Sequence, residues 1–159
     1  MKKIILILIF IFIIIIEIKA EVITSPYLPW LQDRCAIHDV PVSIAASVAI
    51  VESNFRMVNS KLNWNKSYDI GIFQINSKYI KYFKEKLWYK DLSFRAQNPY
   101  NNIEMGIMIL RYLYNKTGSW DKAVRAYYSG VTGLKKDPDA GKDYLVKVIN
   151  VKNTLRFEN

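Results

Sequence analysis

Apolar residues recur at helical spacing in several stretches of the chain, separated by residues suited to caps and turns. Ile44, Val48, Val51 and Phe55 stand at i, i+4, i+7 and i+11 and share one face. The stretch opens at Asp39-Val40-Pro41, where Asp39 suits an N-cap and Pro41 a first helical turn. A second stripe, Ile103, Ile107, Leu110 and Tyr114, follows Asn98-Pro99, and a third, Trp120, Val124 and Tyr127, follows Ser119. Gly118 and Gly130 are expected to end these two helices. Tyr144, Val148 and Val151 line one side of a last helix between Ala140 and Leu155. From Asn59 to Asn76 the helical period stops, and Ile70, Ile72 and Ile75 alternate with polar residues around Gly71, which predicts a loop carrying a small β-hairpin.

A different pattern occupies the start of the chain, where Lys2 and Lys3 precede an unbroken apolar run of 13 residues, Ile4 to Ile16. As a helix the run would reach ~20 Å, against ~30 Å of bilayer hydrocarbon. It therefore reads as a secretory signal peptide over residues 1–20, cleaved after Ala20. Ile18 stands where a small residue is preferred and Glu17 intrudes, so an uncleaved anchor stays open as the alternative. Residues 21–159 are then one exported domain in the periplasm, cell envelope or outside the cell, with no stable membrane span after signal removal.

Composition and charge narrow the function. Hydrophobic residues make up 51% of the 159 positions and Gly and Pro number only 6 and 5, so the chain is globular rather than a linker or disordered. The net charge is +9; losing three lysines and one glutamate with the leader leaves +7, which favours anionic polymers and surfaces. The basic residues are dispersed and form no nucleic-acid motif, so nucleic acid is not expected as a partner. Cys35 is the one cysteine and His38 the one histidine, which removes disulfides, Cys-based metal sites and a His-based metal centre; Cys35 reads as a small buried residue and His38 as a surface one.

The residue whose position suggests chemistry is Glu52. At 100° per residue it lies about 70° from the centre of the Ile44/Val48/Val51/Phe55 stripe, at its shoulder and near the helix C-terminus. Partial burial and the negative end of the helix dipole both disfavour a carboxylate, which raises the pKa toward that of a general acid. On spacing alone, a solvated or salt-bridged glutamate fits the same position.

Four segments in order resemble the transglycosylase SLT domain family: Glu52-Ser53-Asn54-Phe55; Asp69-Ile70-Gly71-Ile72-Phe73-Gln74-Ile75-Asn76-Ser77; Asn98-Pro99 with Asn102-Ile103 and Gly106; and Ala126-Tyr127-Tyr128-Ser129-Gly130. The similarity runs from about Val40 to Gly130 and more weakly into Tyr144 to Val148, and is nearest to the small single-domain exported members. The resemblance implies a mainly α, α+β lysozyme-like fold, a helical domain whose small β-hairpin and loop region lines a sugar-binding cleft. It implies cleavage of the β-1,4 bond between N-acetylmuramic acid and N-acetylglucosamine in peptidoglycan, giving 1,6-anhydromuramic ends, with Glu52 as acid and then base and with no metal or other cofactor.

By the same resemblance Gln74 is a polar contact to sugar, Phe73 a cleft wall, and Tyr127 places a hydroxyl near the catalytic glutamate; Asp69 and Asn76 belong to the substrate side. Tyr128 stands where the family carries Asn. Glu52 followed 17 residues later by Asp69 also resembles c-type lysozymes, so a hydrolase using both carboxylates stays open, as does a basic wall-binding protein without catalysis. The implied partners are peptidoglycan glycan strands, with a secretion-system, pilus or phage assembly open as a recruiting partner.

Overall fold

Ser47, Val48 and three alanines, Ala45, Ala46 and Ala49, are inaccessible to solvent on every side of one helix, which three other helices pack against. A computed structural model of the chain describes residues 21–22, 25–60, 62–63, 66–78, 80 and 96–156. The leader expected at 1–20 lies outside the described residues. In chain order the elements are β1 (Glu21–Val22), α1 (Leu28–His38), α2 (Val42–Ser53), β2 (Asp69–Ile70), β3 (Ile75–Asn76), α3 (Pro99–Thr117), α4 (Trp120–Lys136), α5 (Lys142–Thr154) and β4 (Leu155–Arg156). The fold is mainly helical with a small hairpin, as expected, and among the described residues no helix is long and apolar enough to cross a membrane.

Helix α2 is the central strut because its small side chains let α1, α3 and α5 approach its axis from several directions. The core it shares with them includes Leu31, Ile103, Ile107, Leu110 and Val148, all at most 1% exposed. Helix α4 packs chiefly on α3 and also on α5, and the parallel pair β1–β4 joins Glu21 to Leu155 and Val22 to Arg156.

Several local expectations are corrected. Helix α1 precedes the first predicted one and contains both Cys35 and His38; its buried positions, Leu28, Leu31 and Cys35, do stand at i, i+3 and i+7, but the half-buried Trp30 and exposed Ile37 spread apolar residues around the helix and blur that face. Asp39 does not cap the start of α2. It ends α1 in the left-handed region at φ 52°, and Pro41 occupies the N-cap position of α2, because only three residues separate the two helices. Phe55 is buried, yet not by helical periodicity: α2 stops at Ser53, and left-handed Asn54 (φ 53°) and Phe55 (φ 60°) fold the aromatic back to the core. Gly130, by contrast, leaves the helical region at φ 72°, ψ 157°, so the helical run from Trp120 ends there as expected, and a second run beyond the kink completes α4 to Lys136.

Other signals act as expected. The Asn98 side chain accepts N–H bonds from Tyr100 (3.0 Å) and Asn101 (3.2 Å) at the start of α3, and Gly118 closes it. Strands β2 and β3 pair antiparallel, Asp69 with Asn76 and Ile70 with Ile75, around a turn that begins at Gly71. That turn lies directly on α3: a Cβ at Gly71 would sit 2.4 Å from Asn102 Nδ2, and one at Gly106 would sit 2.2 Å from the Phe73 ring. Glycine at position 71 leaves room for the Asn102 side chain and glycine at position 106 for the Phe73 ring, so the hairpin seats closely against the helix.

Candidate active site

A cleft of about 810 Å³ opens between the C-terminal end of α2, the hairpin, and helices α3 and α4. Glu52 and Asp69 line it together with Gln74, Asn76, Tyr127 and Tyr128, while Tyr112, Lys116 and Lys135 line it from α3 and α4. Five of the six residues expected to serve the site thus share one cleft.

Glu52 is positioned by its neighbour. The Ser53 hydroxyl, buried, donates to the Ile72 carbonyl at 2.7 Å and accepts the Arg56 N–H at 3.1 Å, which ties the end of α2 to the hairpin turn. Burial pushes the Glu52 carboxyl up to about 7 from 4.5; the Tyr144 hydroxyl, donating to Oε1 at 2.5 Å, pulls the other way, and the negative charge of Asp69 adds to the rise. A carboxyl with this pKa is protonated in a large fraction of molecules at neutral pH and can both give and take a proton there.

On the hairpin, Asp69 is held by two amides: Oδ1 accepts from Asn76 Nδ2 at 2.7 Å and Oδ2 from Asn63 Nδ2 at 3.2 Å. Asn76 therefore orients Asp69, and its own Nδ2 also reaches Ser67 Oγ at 2.9 Å. Gln74 donates Nε2 protons to the carbonyls of Val58 (2.9 Å) and Gly71 (2.7 Å). With both amide protons directed at backbone oxygens, what Gln74 offers the cleft is its carbonyl oxygen, an acceptor for a sugar hydroxyl or amide N–H.

One expectation is revised and another gains detail. The Phe73 ring is no cleft wall: it is fully buried against Gly106, and its backbone is what serves the site. The hairpin turn sends the ring inward because Asn102 Oδ1 accepts the Phe73 N–H at 2.9 Å and draws the turn onto α3. Tyr127 lines the cleft near Glu52, as the resemblance implies, and its hydroxyl donates to the Phe73 carbonyl at 2.7 Å. Burial, with the charges of Glu52 and Asp69 nearby, pushes the Tyr127 pKa well up and keeps its proton on. The tyrosine that touches Glu52 is Tyr144, 92 positions further along the chain, whose pKa is also pushed up by burial and by Glu52. Its place in the stripe of the last helix marked it as a packing residue; only its oxygen distinguishes it from a core aromatic.

Tyr144→Phe keeps that packing and removes the hydroxyl. Since the lost hydrogen bond favours the charged carboxylate, the Glu52 pKa should rise beyond about 7, moving the alkaline limb of the rate profile upward. A rate loss of roughly tenfold is expected for losing one charge-assisted bond. An unmoved limb in a pH–rate profile would remove Tyr144 from this role.

Cys35 is buried in α1, where desolvation pushes its thiol up to about 12, and His38 faces Glu104 at 3.4 Å; neither lines the cleft. Among the described residues no three of His, Cys, Asp and Glu come together as a metal would require.

A protein of Escherichia coli O157:H7 named peptidoglycan-binding-like protein is 30% identical over 93 residues, 55% of this chain and 56% of that relative. The chain thus spans a little over half the length of the curated relative it matches. The family model described as transglycosylase SLT domain matches residues 31–147, from Leu31 inside α1 to Lys147 inside α5. Because that match takes in part of every helix and all of the cleft around Glu52, the chain belongs to the transglycosylase SLT domain family.

Proposed function

We propose that this protein is a peptidoglycan lytic transglycosylase that uses Glu52 as its acid and base. The observation that carries the reading is a half-buried carboxyl with a pKa near 7, held by a tyrosine hydroxyl, in a cleft whose hairpin wall presents polar side chains. Membership of the SLT family supports the reaction type, and the printed name of the E. coli relative supports peptidoglycan as the polymer.

In this reading the Glu52 proton passes to the glycosidic oxygen as the bond to C1 of N-acetylmuramic acid breaks, and the electron pair leaves on that oxygen. The resulting Glu52 carboxylate takes the proton of the muramic 6-hydroxyl, whose oxygen bonds to C1. The acid is regenerated, and no water is consumed. Because the attacking hydroxyl belongs to the same sugar, the step is intramolecular and gains from proximity. Tyr144 holds the carboxyl, Gln74 offers an acceptor to the sugar, and Asp69 supplies negative charge that favours the protonated acid and a cationic C1.

Residues 1–20 act as the export signal in this reading, which brings the domain to the envelope where peptidoglycan lies. Asp69 in the same cleft favours a second reading, a lysozyme-type hydrolase in which it assists attack by water. Mass spectrometry of muropeptides released by residues 21–159 separates the two. Anhydromuramic ends are expected; reducing muramic ends would give the hydrolase, and binding of peptidoglycan without release would give a wall-binding protein.

A further inference from the structure

Tyr128 is 70% exposed, the most exposed of the described tyrosines that line the cleft. One face of its ring stacks on Tyr144, with centroids 5.2 Å apart and planes 16° from parallel. Tyr144 in turn holds Glu52. With one face covered and most of the residue exposed, the opposite face of Tyr128 looks to solvent, one aromatic ring away from the acid. The same side chain borders both the main cleft and a separate recess of about 450 Å³ walled by Lys142, Asp143 and Lys147.

We propose that Tyr128 is a stacking platform for a pyranose ring of the glycan strand, which passes from the cleft at Glu52 over this residue toward the second recess. The inference rests on reading the cleft as a glycan site. A pyranose carries one face of C–H groups, apolar and weakly positive, which matches the negative face of an aromatic ring. The underlying Tyr144 fixes the ring plane before any ligand arrives, so little side-chain entropy is lost on binding, and an exposed large aromatic in a cleft wall has a use. Lys142 is paired with Asp139 at the margin of the recess, so Tyr128 is its one large apolar face besides Tyr144.

The test uses binding and turnover together. In the Glu52→Gln protein, which blocks turnover, the affinity for soluble N-acetylglucosamine hexasaccharide is measured by calorimetry with Tyr128 intact and as Tyr128→Ala, Tyr128→Phe and Tyr128→Trp. Tyr128→Ala should weaken binding by about five- to tenfold, whereas Phe and Trp, which keep the platform, should stay within about twofold. In the active protein Tyr128→Ala should raise KM with little change in kcat and leave the alkaline limb set by Glu52 in place. An affinity unchanged by Tyr128→Ala, or no binding of the hexasaccharide at all, overturns the platform. So does a loss confined to kcat with a shifted limb, since that is the signature of a residue that only supports Tyr144. If the unsubstituted protein fails to cleave peptidoglycan yet the Tyr128→Ala change still weakens binding, the catalytic reading falls and the platform stands.

Discussion

Glu52→Gln is expected to lower glycan cleavage by about three to four orders of magnitude, since one carboxyl is asked to act as both acid and base and each role is worth 10²-fold or more. The same change is expected to stabilise the fold above neutral pH. The folded pKa of about 7 lies above the ordinary 4.5, so between these values the folded protein holds a proton that the unfolded chain has lost. Stability therefore falls as pH rises through that window and levels off above about 7, by on the order of 3 kcal/mol in total. Glutamine has no charge to bury. The variant should match the native protein near pH 4 and exceed it at pH 8, where its melting temperature should be higher by roughly 5–10 °C. Thermal melts at the two pH values, run beside the cleavage assay, check both halves. Equal stability at pH 8 would mean that the Glu52 charge is well solvated, and the basis for its acid role would go with it. The native rate should meanwhile decline above about pH 7, as the Glu52 proton is lost.

The largest effect on stability is expected at Asn102. This residue is completely buried on α3, and its side chain makes three hydrogen bonds to backbone: Oδ1 accepts from Phe73 N at 2.9 Å, and Nδ2 donates to Ile70 O at 2.9 Å and Ala96 O at 3.0 Å. Two of these partners lie on the hairpin, so Asn102 is the latch that seats the hairpin on the helix. Asn102→Ala strands one N–H and two carbonyls in the interior, each at about 1–3 kcal/mol, and leaves a hole. A loss of about 4 kcal/mol is expected, a large part of the margin of a domain this size, with a fall in melting temperature of roughly 10–20 °C. Asn102→Asp is nearly isosteric and separates the contributions. It keeps the acceptor for Phe73 but sets a carboxylate oxygen against two carbonyls, so it should be at least as damaging. Activity should fall with either, because Gln74, Asp69 and Asn76 all ride on the hairpin. A urea denaturation series showing a loss under 1 kcal/mol for Asn102→Ala would mean that the hairpin is held by its apolar contacts alone.

Asn102 also shows what can be read along the chain. Its place beside Asn98-Pro99 was legible as part of a family motif, and Asn98 was legible as a cap because a cap is a local device: side chain and N–H groups lie within three residues. What Asn102 holds was not legible, since two of its partners lie 29 and 32 positions away. The hairpin around Gly71 could be read from alternation, but not that its turn presses on α3 until Phe73 points inward. Helix α1 is hard to read along the chain because its three buried positions stand among other apolar residues, such as Trp30 and Ile37, that point elsewhere, and Asp39 is ambiguous because an aspartate between two helices suits the end of one as well as the start of the next.

For the site, the sequence alone determined that Glu52 lies at the shoulder of an apolar stripe near a helix end, a place where burial raises a carboxyl pKa, and it determined which residues accompany the glutamate in the family pattern. Periodicity and capping carry this information because they act over one or two helical turns. Tertiary structure alone decided that Tyr144, 92 positions away, is the group that touches Glu52, that Tyr127 is turned to the Phe73 carbonyl instead, and that Tyr128 lies flat on Tyr144. Those contacts depend on how α2, α4 and α5 pack against one another, and spacing along one helix fixes the face a side chain occupies, not the neighbour that face will meet.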